Sequence, residues 1–340
     1  MSAPATLLEF HPIGVRRPWG GRRLLEHLRP QLAMEEPVGE SWEVADVGEQ
    51  QQTYHSVVAR GPEAGRTLRS LIEQSPRRIL GAEELPPGPA RLPLLFKFID
   101  AAQDLSVQVH PDDELAISLG LGPRGKSEAW IILDALPGAR LQVGLREGWD
   151  VERLVARVRA GDEIASALNE VSVKRGDIIH LPAGTIHSIG AGILLAEIQQ
   201  SSDVTWRVDD GGRVGLDGKP RQLHLDQVRW TTAPAGSPEV PIGRDADATG
   251  WWRPIPEGPF WLDELRGQFA GRWPADPQRC SILVVLEGQV QFEGSESILA
   301  EGDVRLVLPR GVEEADSGSP RMESSAGSWV LCASSPPGVR

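Results

Sequence analysis

A chain of 340 residues, 40% of them hydrophobic, carries enough apolar material for about two domains and is not a disordered chain. Its formal net charge of −13 argues against nucleic acid or an anionic membrane as the main partner, and it requires any anionic small molecule to find local cations. No apolar run nears the roughly 20 residues that span a bilayer. Met1 to Phe10 lacks the basic-then-apolar pattern of a secretory signal, and only Cys280 and Cys332 are present, so a reducing cytoplasm is expected.

In chain order, Pro18-Trp19-Gly20-Gly21 reads as a turn and Arg22 to Leu28 as a short helix with Leu24, Leu25 and Leu28 inward. Gly39-Glu40-Ser41-Trp42-Glu43-Val44 is polar on both edges of a tryptophan, which is unusual for a purely structural strand. Thr67 to Leu80 has helical spacing, broken at Pro76. Pro86 to Pro93 is a proline-rich loop, and Leu94 to Asp100 is a strand with Lys97 inside an apolar run.

Ser106-Val107-Gln108-Val109-His110-Pro111 alternates polar and apolar residues. On a strand, Gln108 and His110 share one face and Val107 and Val109 the other. Asp112 to Leu119 can form a helical turn, and Glu128 to Leu133 is strand-like. Trp149 to Glu170 changes to helical spacing, which predicts a small helical insert over about residues 149–170. Strand patterning returns from Val171 to Val208. Gly211 to His224 is a glycine-rich basic loop, residues 231–245 are a linker, and Trp251 to Val330 reads as short strands between glycine and proline turns.

The sequence echoes itself. Gly176-Asp177 leads to Pro182-Ala183-Gly184-Thr185-Ile186-His187, and Gly302-Asp303 leads to Pro309-Arg310-Gly311-Val312-Glu313-Glu314. Glu314 stands where His187 stands. Two related β-barrels, with imidazoles kept only in the first, explain the echo.

His110, Glu128 and His187, with the amide oxygen of Gln108, make a donor set suited to a divalent metal. A lone histidine is more often structural, but these two each follow a strand and adjoin a turn. Glu128 leads straight into an apolar strand and, if buried, needs a cation. Lys97 either snorkels from an edge strand or stands inside the barrel near the metal. Lys126 shares a face with Glu128 if the segment is extended. Glu197, Asp203 and Arg207 either face solvent or line a pocket. Arg213, Lys219 and Arg221 read as loop charges, unless the loop covers the pocket and contacts a phosphate. His11, His27, His55 and His224 read as structural or surface residues. His180 lines the barrel without being a ligand.

Gly176 through Pro182-x-Gly184-x-x-His187 resembles the second cupin motif, and Gln108-x-His110 with the distant Glu128 resembles a modified first motif. Together with Pro18-Trp19-Gly20-Gly21, Gly39-Glu40-Ser41-Trp42-Glu43, Leu94-Leu95-Phe96-Lys97 and Lys126-Ser127-Glu128, they make the chain similar to type I mannose-6-phosphate isomerase (phosphomannose isomerase) in its short bacterial form. The resemblance implies a mainly β protein of two cupin-like (jelly-roll) barrels. Residues 1–235 would be the catalytic domain, and residues 236–340 a degenerate cupin-like domain without metal.

The resemblance also implies one Zn²⁺ per chain at Gln108, His110, Glu128 and His187. Catalytic roles fall on Arg207, Lys126 and Glu197, and substrate contacts on Ser106, Lys97, Asp203 and Arg213. The implied reaction interconverts mannose 6-phosphate and fructose 6-phosphate through an enediol. No nucleic acid, membrane or obligatory protein partner is expected. One departure stands out: short relatives carry an aromatic pair where this chain has Asp210-Gly211-Gly212, so one pocket wall should differ. The residues alone leave open a metal-dependent cupin oxygenase and a non-catalytic sugar-phosphate-binding cupin.

Overall fold

The computed structural model describes residues 5–48, 53–81, 90–233, 241–244, 248–310 and 318–336. It is mainly β, with several antiparallel sheets, and among the described residues no sheet closes on itself. Contacts divide the chain into two compact units. One contains Met1–Ile13, Trp42–Phe96 and Arg244–Arg340; the other contains Gly14–Ser41 and Lys97–Gly243. No described helix is long and apolar enough to cross a membrane.

The second unit carries every candidate site residue. Its five-stranded sheet runs in the order Leu168–Ser172, Arg140–Leu145, His187–Ile189, Val107–Val109 and Trp206–Asp209. A six-stranded sheet runs Ile178–Leu181, Glu128–Ala135, Ile193–Gln200, Leu94–Ala101, Glu40–Val44 and Ile13–Val15. The two sheets share a core. Leu141, Val143 and Ile189 of the first meet Trp130, Ile132, Ile179, Leu181 and Leu195 of the second.

Strand alternation decides what each face of the five-stranded sheet does. Val107, Val109, Trp206 and Val208 point away from the shared core and bury against Leu154, Val155 and Val228 of two helices, Val151–Arg159 and Leu225–Thr231. Gln108 and Arg207, the intervening residues, are left for the opposite face. The Val151–Arg159 helix starts at Asp150, whose carboxylate accepts from the Arg153 N–H at 2.7 Å. Full burial of Leu154 and Val155 contributes about 1.5–3 kcal/mol each. Leu154→Asp would break that contact. The helix is shorter than the expected insert. Gly161, at φ 77°, lies just past its end, and a short 3₁₀ turn follows at Ala165–Ala167. The chain re-enters the sheet at Leu168, paired with Leu145, because pairing there outweighs the helical spacing.

The first unit holds a six-stranded sheet, from Leu7–Leu8 through Ser281–Glu287 to Gly250–Ile255, and a four-stranded sheet containing Gln289–Phe292 and Arg321–Ser324. Leu283, Val285, Phe292, Met322, Val330 and Trp273 form its core. Thr67 caps Leu68–Gln74, and Pro76, lacking an N–H, begins a separate helix, Pro76–Leu80.

The echo in the sequence is an echo in structure. The Gly176 and Gly302 N–H groups donate to Ile132 and Val285 carbonyls at 2.9 and 2.8 Å. The carbonyls of Asp177 and Asp303 accept from the N–H groups of Ile132 and Val285, both at 2.9 Å. Each aspartate carboxylate accepts from the N–H three residues earlier, Lys174 at 2.9 Å and Ala300 at 2.7 Å. Both glycines have positive φ, 92° and 87°. Gly311 and Glu314, at the end of the second copy, lie outside the described residues.

Candidate active site

Three separated segments are stitched together by backbone hydrogen bonds. The Gly184 N–H donates to the His110 carbonyl at 2.9 Å, and the Lys126 N–H donates to the Pro111 carbonyl at 2.9 Å. The Ala183 N–H donates to Ser127 Oγ at 3.1 Å. Two glycines permit this. Gly184 has φ +84°, and a Cβ on Gly125 would lie 2.3 Å from the Asp112 backbone. The stitching brings His110, Glu128 and His187 into one buried cluster, with potential ligand atoms within 4.8 Å of one another.

Both imidazoles are fixed from behind. His110 Nδ1 lies 2.8 Å from the Val204 carbonyl, and His187 Nδ1 lies 2.8 Å from the Thr185 carbonyl. A carbonyl only accepts, so each Nδ1 carries the proton and each Nε2 lone pair faces inward. Burial keeps both rings neutral: it pushes His187 down, and for His110, well down, Lys126 adds to it. The Nε2 atoms stand 3.3 and 3.6 Å from the Glu128 carboxylate. Gln108 Nε2 is 3.5 and 3.4 Å from the two Nε2 atoms. A flip of that amide exchanges nitrogen for oxygen without moving the side chain, and turns an acceptor to the cluster.

Glu128 is 1% exposed, and neither of its oxygens has a hydrogen bond of good geometry. Burial would raise its pKa, but Lys126, His110 and His187 outweigh burial and hold it below the carboxylate range. Two inward imidazole lone pairs and a buried carboxylate, paired so far with Lys126 Nζ at 2.5 Å, fit a divalent metal, with zinc well suited to the donors.

The six-stranded sheet continues the polar row. Lys97 Nζ lies 2.9 Å from Glu197 Oε1 and 3.4 Å from Glu40 Oε1. Trp130 Nε1 donates to Glu197 Oε2 at 2.9 Å, and the Trp130 ring meets the His187 ring edge-on at 5.3 Å. Burial opposes the charge on Lys97, but Glu197, Glu40, Glu128 and Asp203 raise its pKa all the same. Burial, then Glu128, raises Glu197 despite Lys97.

A cavity of about 260 Å³ opens beside the cluster. Of the residues expected at the site, Ser106, Lys97, Gln108, Lys126, Glu197, Asp203 and Arg207 line it. Arg213 does not. It lines a separate hollow with Asp104 and Arg140, 4.0 Å from Asp210. Sequence reasoning missed Arg17, Glu40, Thr205 and His224 as lining residues and left Arg221 open between a loop charge and a pocket contact; it lines the cavity. His224 Nδ1 accepts from the Arg207 N–H at 3.0 Å, so it is structural as expected, but it supports a cavity residue. Asp210, which opens Asp210-Gly211-Gly212, is buried and holds the wall residue Arg221 at 2.6 and 2.5 Å.

Facing antiparallel sheets with a buried two-histidine, one-glutamate cluster beside a polar cavity define a metal-binding β-protein. The sequence model of the type I phosphomannose isomerase catalytic domain matches residues 12–123. The mannose-6-phosphate isomerase of Streptococcus mutans is 35% identical over 306 residues, covering 87% of this chain and 90% of that protein. The chain belongs to the type I phosphomannose isomerase family.

The mannose-6-phosphate isomerase ManA of Bacillus subtilis is 40% identical over 218 residues, an alignment that spans 64% of this chain and 65% of that protein. A crystal structure of the mannose 6-phosphate isomerase from Bacillus subtilis superposes with a TM-score of 0.75 at 26% identity, covering 96% and 99% of the two chains. A zinc-bound crystal structure of mannose 6-phosphate isomerase shares the fold, with a TM-score of 0.68 at 18% identity over 97% and 99% of the chains.

Proposed function

We propose that this protein is a zinc-dependent isomerase that interconverts mannose 6-phosphate and fructose 6-phosphate. The observation that carries the reading is the buried His110–Glu128–His187 cluster, touched by Gln108 and Lys126 of a cavity wall that also holds Lys97 and Arg207, in a chain of this family. Relatives at 35–40% identity bear the name mannose-6-phosphate isomerase, and a protein of the same fold has zinc bound.

His110, Glu128 and His187 would hold the ion, with Gln108 beside them. When bound, the ion supplies Lewis-acid stabilisation of oxygen charge. The reaction moves a proton from C2 of the aldose to C1 through an enediol, so the chain must provide a base and cations. Glu197 is the base we favour, since its raised pKa brings it nearer the working range of an acid–base group. Lys97 and Trp130 hold its two oxygens and fix its position. Lys126 is the alternative base, and it also places positive charge beside the reacting oxygens. Arg207 presents planar donors from the neighbouring strand. Ser106, Lys97 and Asp203 would contact the sugar.

We read the fold as two cupin jelly rolls, a reading supported by the repeated Gly-Asp turn. Residues 1–235 carry the metal and residues 236–340 do not. The enzyme would act in the cytoplasm without an obligatory protein partner.

A coupled assay with mannose 6-phosphate, with and without chelator, tests the reading. Turnover should vanish on chelation and return with zinc. Binding of the sugar phosphate without turnover by metal-replete protein would instead favour a sensor.

A further inference from the structure

The cavity wall carries five cations, Arg17, Lys97, Lys126, Arg207 and Arg221, against three carboxylates, Glu40, Glu197 and Asp203. Glu128 and Asp210, which are not on the wall, contact Lys126 and Arg221. The two lysines are spent on buried carboxylates: Lys126 on Glu128, and Lys97 on Glu197 and Glu40. The guanidiniums differ. Arg17 is gripped on one edge, Nε and Nη2 lying 2.9 and 2.7 Å from Glu40 Oε2. Arg221 is held on the same edge but by both carboxylate oxygens, Nε and Nη2 donating to Asp210 Oδ2 and Oδ1 at 2.6 and 2.5 Å. Each carboxylate fixes its guanidinium plane as a rigid fork, the geometry that arginine uses for phosphate.

Between the two carboxylates, Arg207 has no acidic partner among the described residues. Its Nη1 donates to the Gln222 carbonyl at 3.0 Å, and its buried Nε has no hydrogen-bond partner. Burial disfavours its charge and Arg221, Arg17 and Arg213 act on it as like charges, while at longer range Asp210 opposes them. Five cations against three carboxylates leave this wall with an excess of positive charge, which favours an anion locally although the protein as a whole, at −13, repels one.

Arg207 is paired across the strands with Gln108, and Gln108 with His187, so the three form one row on one face. Two strand spacings, roughly 10 Å, separate the ends of that row. A hexose whose reacting carbons lie over this row, between the metal cluster and Arg207, would carry its phosphate beyond it, towards Arg17 and Arg221.

We infer that Arg17 and Arg221 form the phosphate seat of this cavity and set its preference for phosphorylated over neutral hexose, an inference that rests on the isomerase reading. Arg207 is thereby left to the reacting end. Asp210 orients half of the seat. Glu40 orients the other half and joins it, through Lys97, to Glu197.

The test uses the zinc-loaded protein with Arg17→Gln, Arg221→Gln and Arg221→Lys. Inorganic phosphate affinity is measured by calorimetry, and kcat and KM with mannose 6-phosphate. Each Gln variant should weaken phosphate binding and raise KM by about 10- to 100-fold, the range for one charge-assisted contact, with kcat within about threefold. Arg221→Lys should recover part of the loss. Should Arg221→Gln fail to fold, Arg221→Lys and Arg17→Gln decide in the same way, with Lys expected intermediate.

If wild type turns over mannose 6-phosphate but the variants keep its KM and phosphate affinity, the seat is refuted and the isomerase reading stands. If wild type binds phosphate, loses it in the variants and never isomerises the sugar, the isomerase reading fails and the seat remains. No phosphate binding by wild type at millimolar concentration, or a fall in kcat alone, overturns the inference.

Discussion

Lys126 Nζ lies 2.5 Å from Glu128 Oε1 and 3.3 Å from His110 Nε2, with all three residues buried. The lysine thus supplies, within the protein itself, the positive charge that a buried carboxylate needs. A divalent ion at the same cluster would supply it again. Lys126→Met should therefore cost the metal-free protein about 3–5 kcal/mol, the range for breaking a buried pair. Zinc should recover most of that loss. Urea unfolding of both forms measures it, and an equal loss with and without metal would contradict the shared role of lysine and metal.

His187 is held on three sides: by the Thr185 carbonyl, by Trp130 edge-on, and by pairing with Gln108. His187→Ala keeps the strand and deletes a single donor. Bound zinc after dialysis should fall from about one per chain to near zero, since three protein ligands are the usual minimum for such a site. Stoichiometric zinc in this variant would sink the ligand assignment. Chelation of the wild type should abolish activity while the fold persists by circular dichroism.

The metal cluster was legible because its spacing is strand spacing. Val107 and Val109 pack on the helices and force Gln108 to the other face, and the turn Pro182–Thr185 delivers His187. The outline of the cavity was legible only in part. Lys97 and Glu197 showed as charges inside apolar strands, a pattern that fits a lined pocket and a solvent-facing edge alike, and the structure places both on the cavity wall. Arg17, Arg221 and His224 sit in irregular segments, where no period says which way a side chain points. Arg213 looked equivalent to Arg221, and both meet Asp210, yet only Arg221 lines the cavity while Arg213 lines the separate hollow. The grouping of Trp42–Phe96 with Arg244–Arg340 rests on contacts between residues far apart in the chain, which local patterning does not carry.

Glu197 offers a pH test. Burial and Glu128 raise its pKa above the usual carboxylate value. A general base must be ionised, so kcat/KM should fall as pH drops through that raised pKa, higher than an exposed glutamate would give. Glu197→Gln should remove this acid limb and lower kcat by about 10²–10⁴-fold. An intact profile with near-normal kcat would shift the role of base to Lys126.

Arg207 carries the last prediction. It is directly paired with Gln108, the residue next to both inward imidazole nitrogens, so one strand spacing separates it from the metal cluster. Trp206 and Val208 anchor its strand in the core behind, and His224 and Gln222 fix its backbone and one side-chain nitrogen. Its remaining donors are therefore pre-aimed, at no reorganisation cost during the reaction. Negative charge grows on two oxygens as the proton leaves C2, and arginine stays cationic at any working pH. Donors that engage that charge act in the transition state more than in the ground state. Arg207→Ala should lower kcat by about 10²–10³-fold, the range for removing one oxyanion donor, with a smaller change in KM. The opposite split is expected for Arg17 and Arg221, so the three variants should separate into two kinetic classes. Metal content and melting temperature, measured alongside, exclude a folding defect. If Arg207→Ala raises KM with kcat unchanged, Arg207 belongs to the phosphate seat; if neither moves, it is a bystander on the cavity wall.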